Sequence, residues 1–301
     1  MNKMLSLEFL IIILMAVGFL ARRLRILGEE AEKTVTDLVL FIVLPCNILS
    51  SFLNGAQGIS AGEFLSVLLV SVGIQLISLV YARFAFPRES PARRCSLGYA
   101  MICSNAGFLG TPIAQGVFGA PGLMLASVYL VPQRIMMWSR GLAVYSGETD
   151  RKKALRKIAT HPCVIACLLG VVFMTTGIPF PAFLRPPLES LAACNTPLTM
   201  MMIGMILSRM DLRRLVDRTI LWFTLHRLVL MPLLVFALCR LLGISSLVTG
   251  VSVLLAAMPA GATTTMLAAK YNRDPEFATQ LVVFTTLCSV PAIFLWILVL
   301  A

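Results

Sequence analysis

The feature that most constrains this chain is the recurrence of apolar stretches long enough to cross hydrocarbon as helix, which takes about 20 residues. Ten occur, over 5–21, 36–53, 62–86, 95–119, 122–145, 161–176, 190–208, 219–242, 247–269 and 277–300. With 58% hydrophobic and 13% charged residues and a mean hydropathy of +0.90, the chain lacks the polar surface of a soluble globule. The expected fold is therefore all-α and integral to the membrane, with ten transmembrane helices. The first stretch is read as a span rather than a cleaved leader: Lys3 alone precedes it, four basic residues follow, and no small-residue cleavage site comes next.

The net charge of +11 would suggest nucleic acid in a soluble protein, but here the basic residues fall in short runs between apolar segments, so no nucleic-acid partner is expected. Of the 25 lysines and arginines, 20 fall on alternate ends and loops (22–33, 83–94, 140–157, 209–218 and 270–273), and only three, Lys3, Arg185 and Arg240, on the opposite set. Ten helices keep this alternation in register, and the positive-inside rule then puts both termini away from the cytoplasm. The basic stretch 148–160 reads as a cytoplasmic linker touching anionic lipid. It separates a five-helix half, 1–147, from a second, 161–301. Five is odd, so the second half enters the membrane inverted. Gly18 to Pro45 and Gly170 to Pro197 share one spacing, 27 residues.

Eight cysteines form no CxxC pair and none sits at ligand spacing from His161 or His226; they read as small packing residues, and neither metal nor cofactor is expected. No HExxH, GxSxG or P-loop occurs, which argues against an enzyme and against direct ATP drive.

Two apolar stretches are interrupted by polar, glycine-rich runs near their centres: Ser104-Asn105-Ala106-Gly107-Phe108-Leu109-Gly110-Thr111-Pro112, and Met258-Pro259-Ala260-Gly261-Ala262-Thr263-Thr264-Thr265. Backbone unwound at membrane depth is tolerated only where protein or a cavity satisfies it, and paired interruptions in corresponding places of two halves point to a transporter's binding site. Pro112 is placed to start one second half-helix, and Thr263 or Thr264 to cap the other. Their amide ends suit an anion. The carbonyl ends of the first half-helices equally suit a cation, and the breaks alone do not decide. Arg134 lies about 9 Å along its helix from Arg140, and Arg227 roughly 13 Å from Arg218. No acid sits at comparable depth, so an anionic guest would supply the counter-charge. Alternatively the arginines neutralise carbonyl ends or snorkel to the surface. Gln133, beside Arg134, and Asn47 and Asn195, beside the prolines of helices two and seven, are further polar candidates, with interhelical hydrogen bonding as the alternative for the asparagines. His226 is a candidate proton carrier or a packed neutral ring.

Several stretches resemble the auxin efflux carrier family: Asn105-Ala-Gly107-Phe108-Leu109-Gly110-Thr-Pro112 followed by Phe118-Gly119, the early Leu44-Pro45, and Met258-Pro259-Ala260 followed by Leu267-Ala268-Ala269-Lys270-Tyr271. The resemblance covers essentially the whole chain. Bacterial members are commonly described as malonate or related organic-acid permeases. The resemblance implies two inverted five-helix repeats, a scaffold of helices one, two, six and seven that forms a homodimer, and a mobile unit of helices three to five and eight to ten, with the fourth and ninth crossing at their breaks.

The expected function is elevator-type secondary transport of a small mono- or dicarboxylate, in a bacterial inner membrane. The site is expected at Asn105, Gly107, Gly110, Pro112, Gln133, Arg134, Arg227, Pro259, Thr263, Thr264 and Asn47, with a proton, sodium or no ion coupled. An anion channel and a non-transporting receptor are the competing readings.

Overall fold

The computed structural model describes residues 2–28, 30–55, 59–137, 139, 142–146, 156, 159–208, 217–261 and 263–300. Those residues are helical and turn structure, with one isolated backbone bridge and no strand. Five helical runs are long and apolar enough to cross a membrane: Thr34–Asn54, Ala61–Phe84, Ala106–Met136, Arg218–Leu241 and Pro275–Leu300. Pro162–Thr176 and Ser246–Ala256 are shorter apolar helices. Most of the expected linker, 148–160, lies outside the described residues, as do most of its basic side chains.

Three of the long runs carry a π-helical turn immediately ahead of a proline. Val39–Val43 precedes Leu44-Pro45, Ala106–Gly110 precedes Thr111-Pro112, and His226–Leu230 precedes Met231-Pro232. Proline lacks an N–H and its ring collides with the carbonyl four residues back. One wider turn moves that carbonyl aside and lets the helix continue. The expectation that Pro112 starts a half-helix is corrected by this geometry: the helix has already resumed at Ala106, and the first break shrinks to 103–105. The expected span 190–208 divides too, into Arg185–Ala193 and Asn195–Ser208 with a turn at Cys194. In the span 122–145 the α-helix runs to Met136, Met137 and Ser139 are π-helical, and Leu142–Ser146 is α-helical.

By internal contacts the chain forms two compact units, one from 1–59, 112–127 and 160–211, the other from 60–111, 128–159 and 212–301. Within the first unit, Asn2–Arg23 packs along Asn195–Ser208 with a glycine of each helix on the other's backbone. Gly18 abuts Met201 and Gly204 abuts Met15, with no room for a methyl group at either. Backbone contact of this kind replaces the hydrophobic drive that lipid does not supply. Gly170 does the same against the Phe52 ring, where a Cβ would come within 2.5 Å. Segment 112–127 belongs to this unit, and at its middle Thr111–Met136 is kinked at Gly119, whose φ of 68° and ψ of −157° are non-helical. Such a backbone favours glycine. Asn47 in this unit, 2% exposed, donates to Gln115 Oε1 at 3.3 Å.

The second unit contains both broken segments. Pro91–Ile102 ends at Cys103, and Ser246–Ala256 ends in a loop that leads to Thr263–Lys270. Pro275–Leu300 packs against Pro91–Ile102, Ser246–Ala256 and Thr263–Lys270.

Candidate functional site

The two breaks satisfy each other. Ser104 and Ala260 form an antiparallel bridge, the Asn105 N–H donates to Pro259 O at 2.8 Å, and the Gly261 N–H donates to Cys103 O at 3.2 Å. The Ala260 N–H donates to the Thr285 hydroxyl at 3.2 Å. Non-helical backbone is thereby paired inside protein, as a hydrocarbon surround requires.

Arg227 closes the carbonyl side of this crossing. It is 4% exposed; its Nε donates to Met258 O and its Nη1 to Met101 O, both at 2.9 Å. These are carbonyls at the C-terminal ends of the two first half-helices, where the dipoles are negative and the acceptors lack intrahelical donors. Of the two roles open to Arg227 from sequence, the geometry gives it the neutralisation of carbonyl ends. Three other crossing carbonyls also have donors: Ser104 O takes Gln133 Nε2 at 2.8 Å, Asn105 O takes the Leu109 N–H at 2.9 Å, and Gly261 O takes the Thr264 N–H at 2.9 Å.

The amide side differs. The helix resumed at Ala106 presents its first-turn N–H groups there. Arg134 is 8% exposed, and its Nη2 lies 3.8 Å from where a Gly107 Cβ would stand. The Asn105 side chain is 7% exposed and makes no hydrogen bond among the described residues. The Thr264 hydroxyl is buried and also has no partner there. No aspartate or glutamate occurs between residues 90 and 147 or between 218 and 273, which include every one of these groups.

Asn105, Gly107, Gln133, Arg134, Arg227, Pro259, Thr263 and Thr264 thus all belong to the second compact unit, as does Gly110. Pro112 and Asn47 belong to the first. Several candidates have structural occupations. Gln133 grips Ser104 at both ends of its amide, accepting from the hydroxyl at 3.2 Å as it donates to the carbonyl. Thr263 accepts from Tyr99 at 3.1 Å rather than capping its helix. Gly110 is a packing residue: a Cβ would fall 2.6 Å from Leu255 Cδ2 and 3.0 Å from Met258 Cγ. Ser104 and Thr285, which hold the bridge, were not among the expected residues. Nothing in their local sequence separates them from the many other membrane serines and threonines that bond their own helix.

The sequence model of the family described as Membrane transport protein matches the chain over residues 6–154 and 149–297. The chain belongs to this family, the auxin efflux carriers. Among its relatives in the family, an uncharacterized transporter of Methanothermobacter thermautotrophicus is 28% identical over 96% of both chains. An uncharacterized transporter of Methanocaldococcus jannaschii is 28% identical over 95% of this chain and 96% of its own length. The uncharacterized transporter YfdV of Escherichia coli is 24% identical over 96% and 95%. As an auxin efflux carrier family member, the chain is a multi-pass membrane transporter.

Proposed function

We propose that this carrier moves a small organic anion, a mono- or dicarboxylate, by elevator-type alternating access, with the guest held on the amide side of the helix crossing. The observation that carries the reading is the division of labour there. Arg227 already occupies the negative ends of the broken helices, so the groups left for a guest are helix amide ends, the Asn105 amide and the Thr264 hydroxyl, with the positive charge of the buried Arg134 beside Gly107. That set is electropositive and hydrogen-bonding, the chemistry of carboxylate capture. A sodium site on these carbonyls is disfavoured, because the Arg227 guanidinium already sits on those of Met101 and Met258 and its charge repels a second cation.

The proposed assembly is a homodimer of ten-helix protomers, each two inverted repeats, with both termini outside the cytoplasm of a bacterial inner membrane. In support of the repeat, Gly18 of the first half packs on helix Asn195–Ser208 of the second, and Gly170 of the second packs on helix Leu44–Gly55 of the first. Proteoliposomes containing the purified protein should take up labelled mono- or dicarboxylates and not organic cations of similar size. Uptake of cations with exclusion of carboxylates overturns the assignment, and conductance steps in planar bilayers replace the carrier with a channel.

A further inference from the structure

We infer that the second compact unit carries a binding site for one anionic phospholipid, in a groove between the end of helix Ala61–Phe84 and the start of Arg218–Leu225. The groove has a volume of about 680 Å³, lined by the apolar Phe86, Leu221, Trp222 and Leu225 and by the polar Arg88, Glu89, Arg218 and Thr219. It continues at Ala85 into a second apolar furrow of about 600 Å³ along Leu76, Val80, Tyr81 and Phe84.

The arginines at the polar end differ in whether a carboxylate holds them. The nearby acids are engaged: Arg93 bonds Asp217 at 2.9 Å, lies 3.4 Å from Asp274 and 3.8 Å from Glu89, and stacks over the Phe277 ring. Glu89 also accepts from the Thr219 hydroxyl. Arg88 and Arg218, both exposed, make no ion pair or hydrogen bond among the described residues. Two guanidinium groups without a partner among the described residues, above an apolar channel, complement a phosphate above an acyl chain. Depth agrees as well. From Ala85 to Leu76 the helix descends nine residues, about 13 Å, close to the roughly 15 Å of hydrocarbon in one leaflet. Trp222, 53% exposed, sits one turn below Arg218, at the level where membrane proteins place interfacial aromatics.

The test uses delipidated full-length protein titrated with phosphatidylglycerol or phosphatidylcholine of the same acyl chains, read by native mass spectrometry. Phosphatidylglycerol should bind preferentially, and the double variant Arg88→Gln/Arg218→Gln should weaken it roughly 20-fold. The control Arg240→Gln, an exposed arginine elsewhere in the same unit, should leave it unchanged. Equal binding of the two lipids, or full retention in the double variant, overturns the site. A readout on the unaltered arginines guards against a folding defect: brominated phosphatidylglycerol should quench the fluorescence component lost in Trp222→Phe more strongly than brominated phosphatidylcholine. Equal quenching by the two lipids also overturns it.

Discussion

The two sides of the helix crossing bury similar chemistry and treat it differently. On the carbonyl side a guanidinium is committed to the fold, its Nη1 fixed on Met101 O and its Nε on Met258 O, both at 2.9 Å. On the amide side the Asn105 amide and Thr264 hydroxyl are buried without partners among the described residues, next to helix ends of the same polarity as Arg134. Unpaired buried polar groups cost stability, so at a helix break they mark hydrogen-bonding capacity that the fold holds in reserve. In the proposed function, one side builds the crossing and the other receives the guest.

Substitutions can break that contrast. The largest effect on stability is expected from Arg227→Ala, which strands two helix-end carbonyls. Two hydrogen bonds to a charged group put the loss at about 3 kcal/mol or more, seen as the steepest fall in thermal midpoint by dye-based melting. Gly110→Ala should come next, at about 1–3 kcal/mol, since its methyl would enter Leu255 and Met258. Asn105→Leu should be nearly neutral in melting, within about 1 kcal/mol, because it removes an amide with no partner to strand. Its carboxylate flux in proteoliposomes should fall about tenfold or more. Gly107→Ala should perturb stability least, about 0.5 kcal/mol either way, because a Cβ meets Arg134 Nη2 at an ordinary 3.8 Å. Equal melting losses for Arg227→Ala and Asn105→Leu would erase the distinction between the two sides.

Much of this was legible in the sequence because bilayer physics leaves few solutions. Apolar length marks the helices, and the glycine-rich runs mark where they cannot continue. What escaped was whatever depends on a partner distant in the chain. The difference between Gly110, wedged against Leu255, and Gly107, open beside Arg134, is invisible in a motif that contains both. Arg227 offered two readings until Met101 and Met258 were seen to converge on it. The helix at Arg185 begins ahead of the apolar stretch because Pro186 suits a first turn, while Arg185 and Glu189 hide that turn from hydropathy. The π-turns before Pro45, Pro112 and Pro232 also leave no compositional trace: proline announces an obstacle, and the tertiary context decides between a break and a bulge.

The most direct measurement of the central claim is ligand-induced thermal stabilisation of the wild-type protein and of Arg134→Ala against a panel of small carboxylates and matched organic cations, since a ligand of the folded state raises its melting point. The account predicts that carboxylates stabilise the wild type, that cations do not, and that Arg134→Ala melts as a folded protein without the carboxylate response. A carboxylate response of full size in Arg134→Ala, or stabilisation by the cations instead, would contradict it.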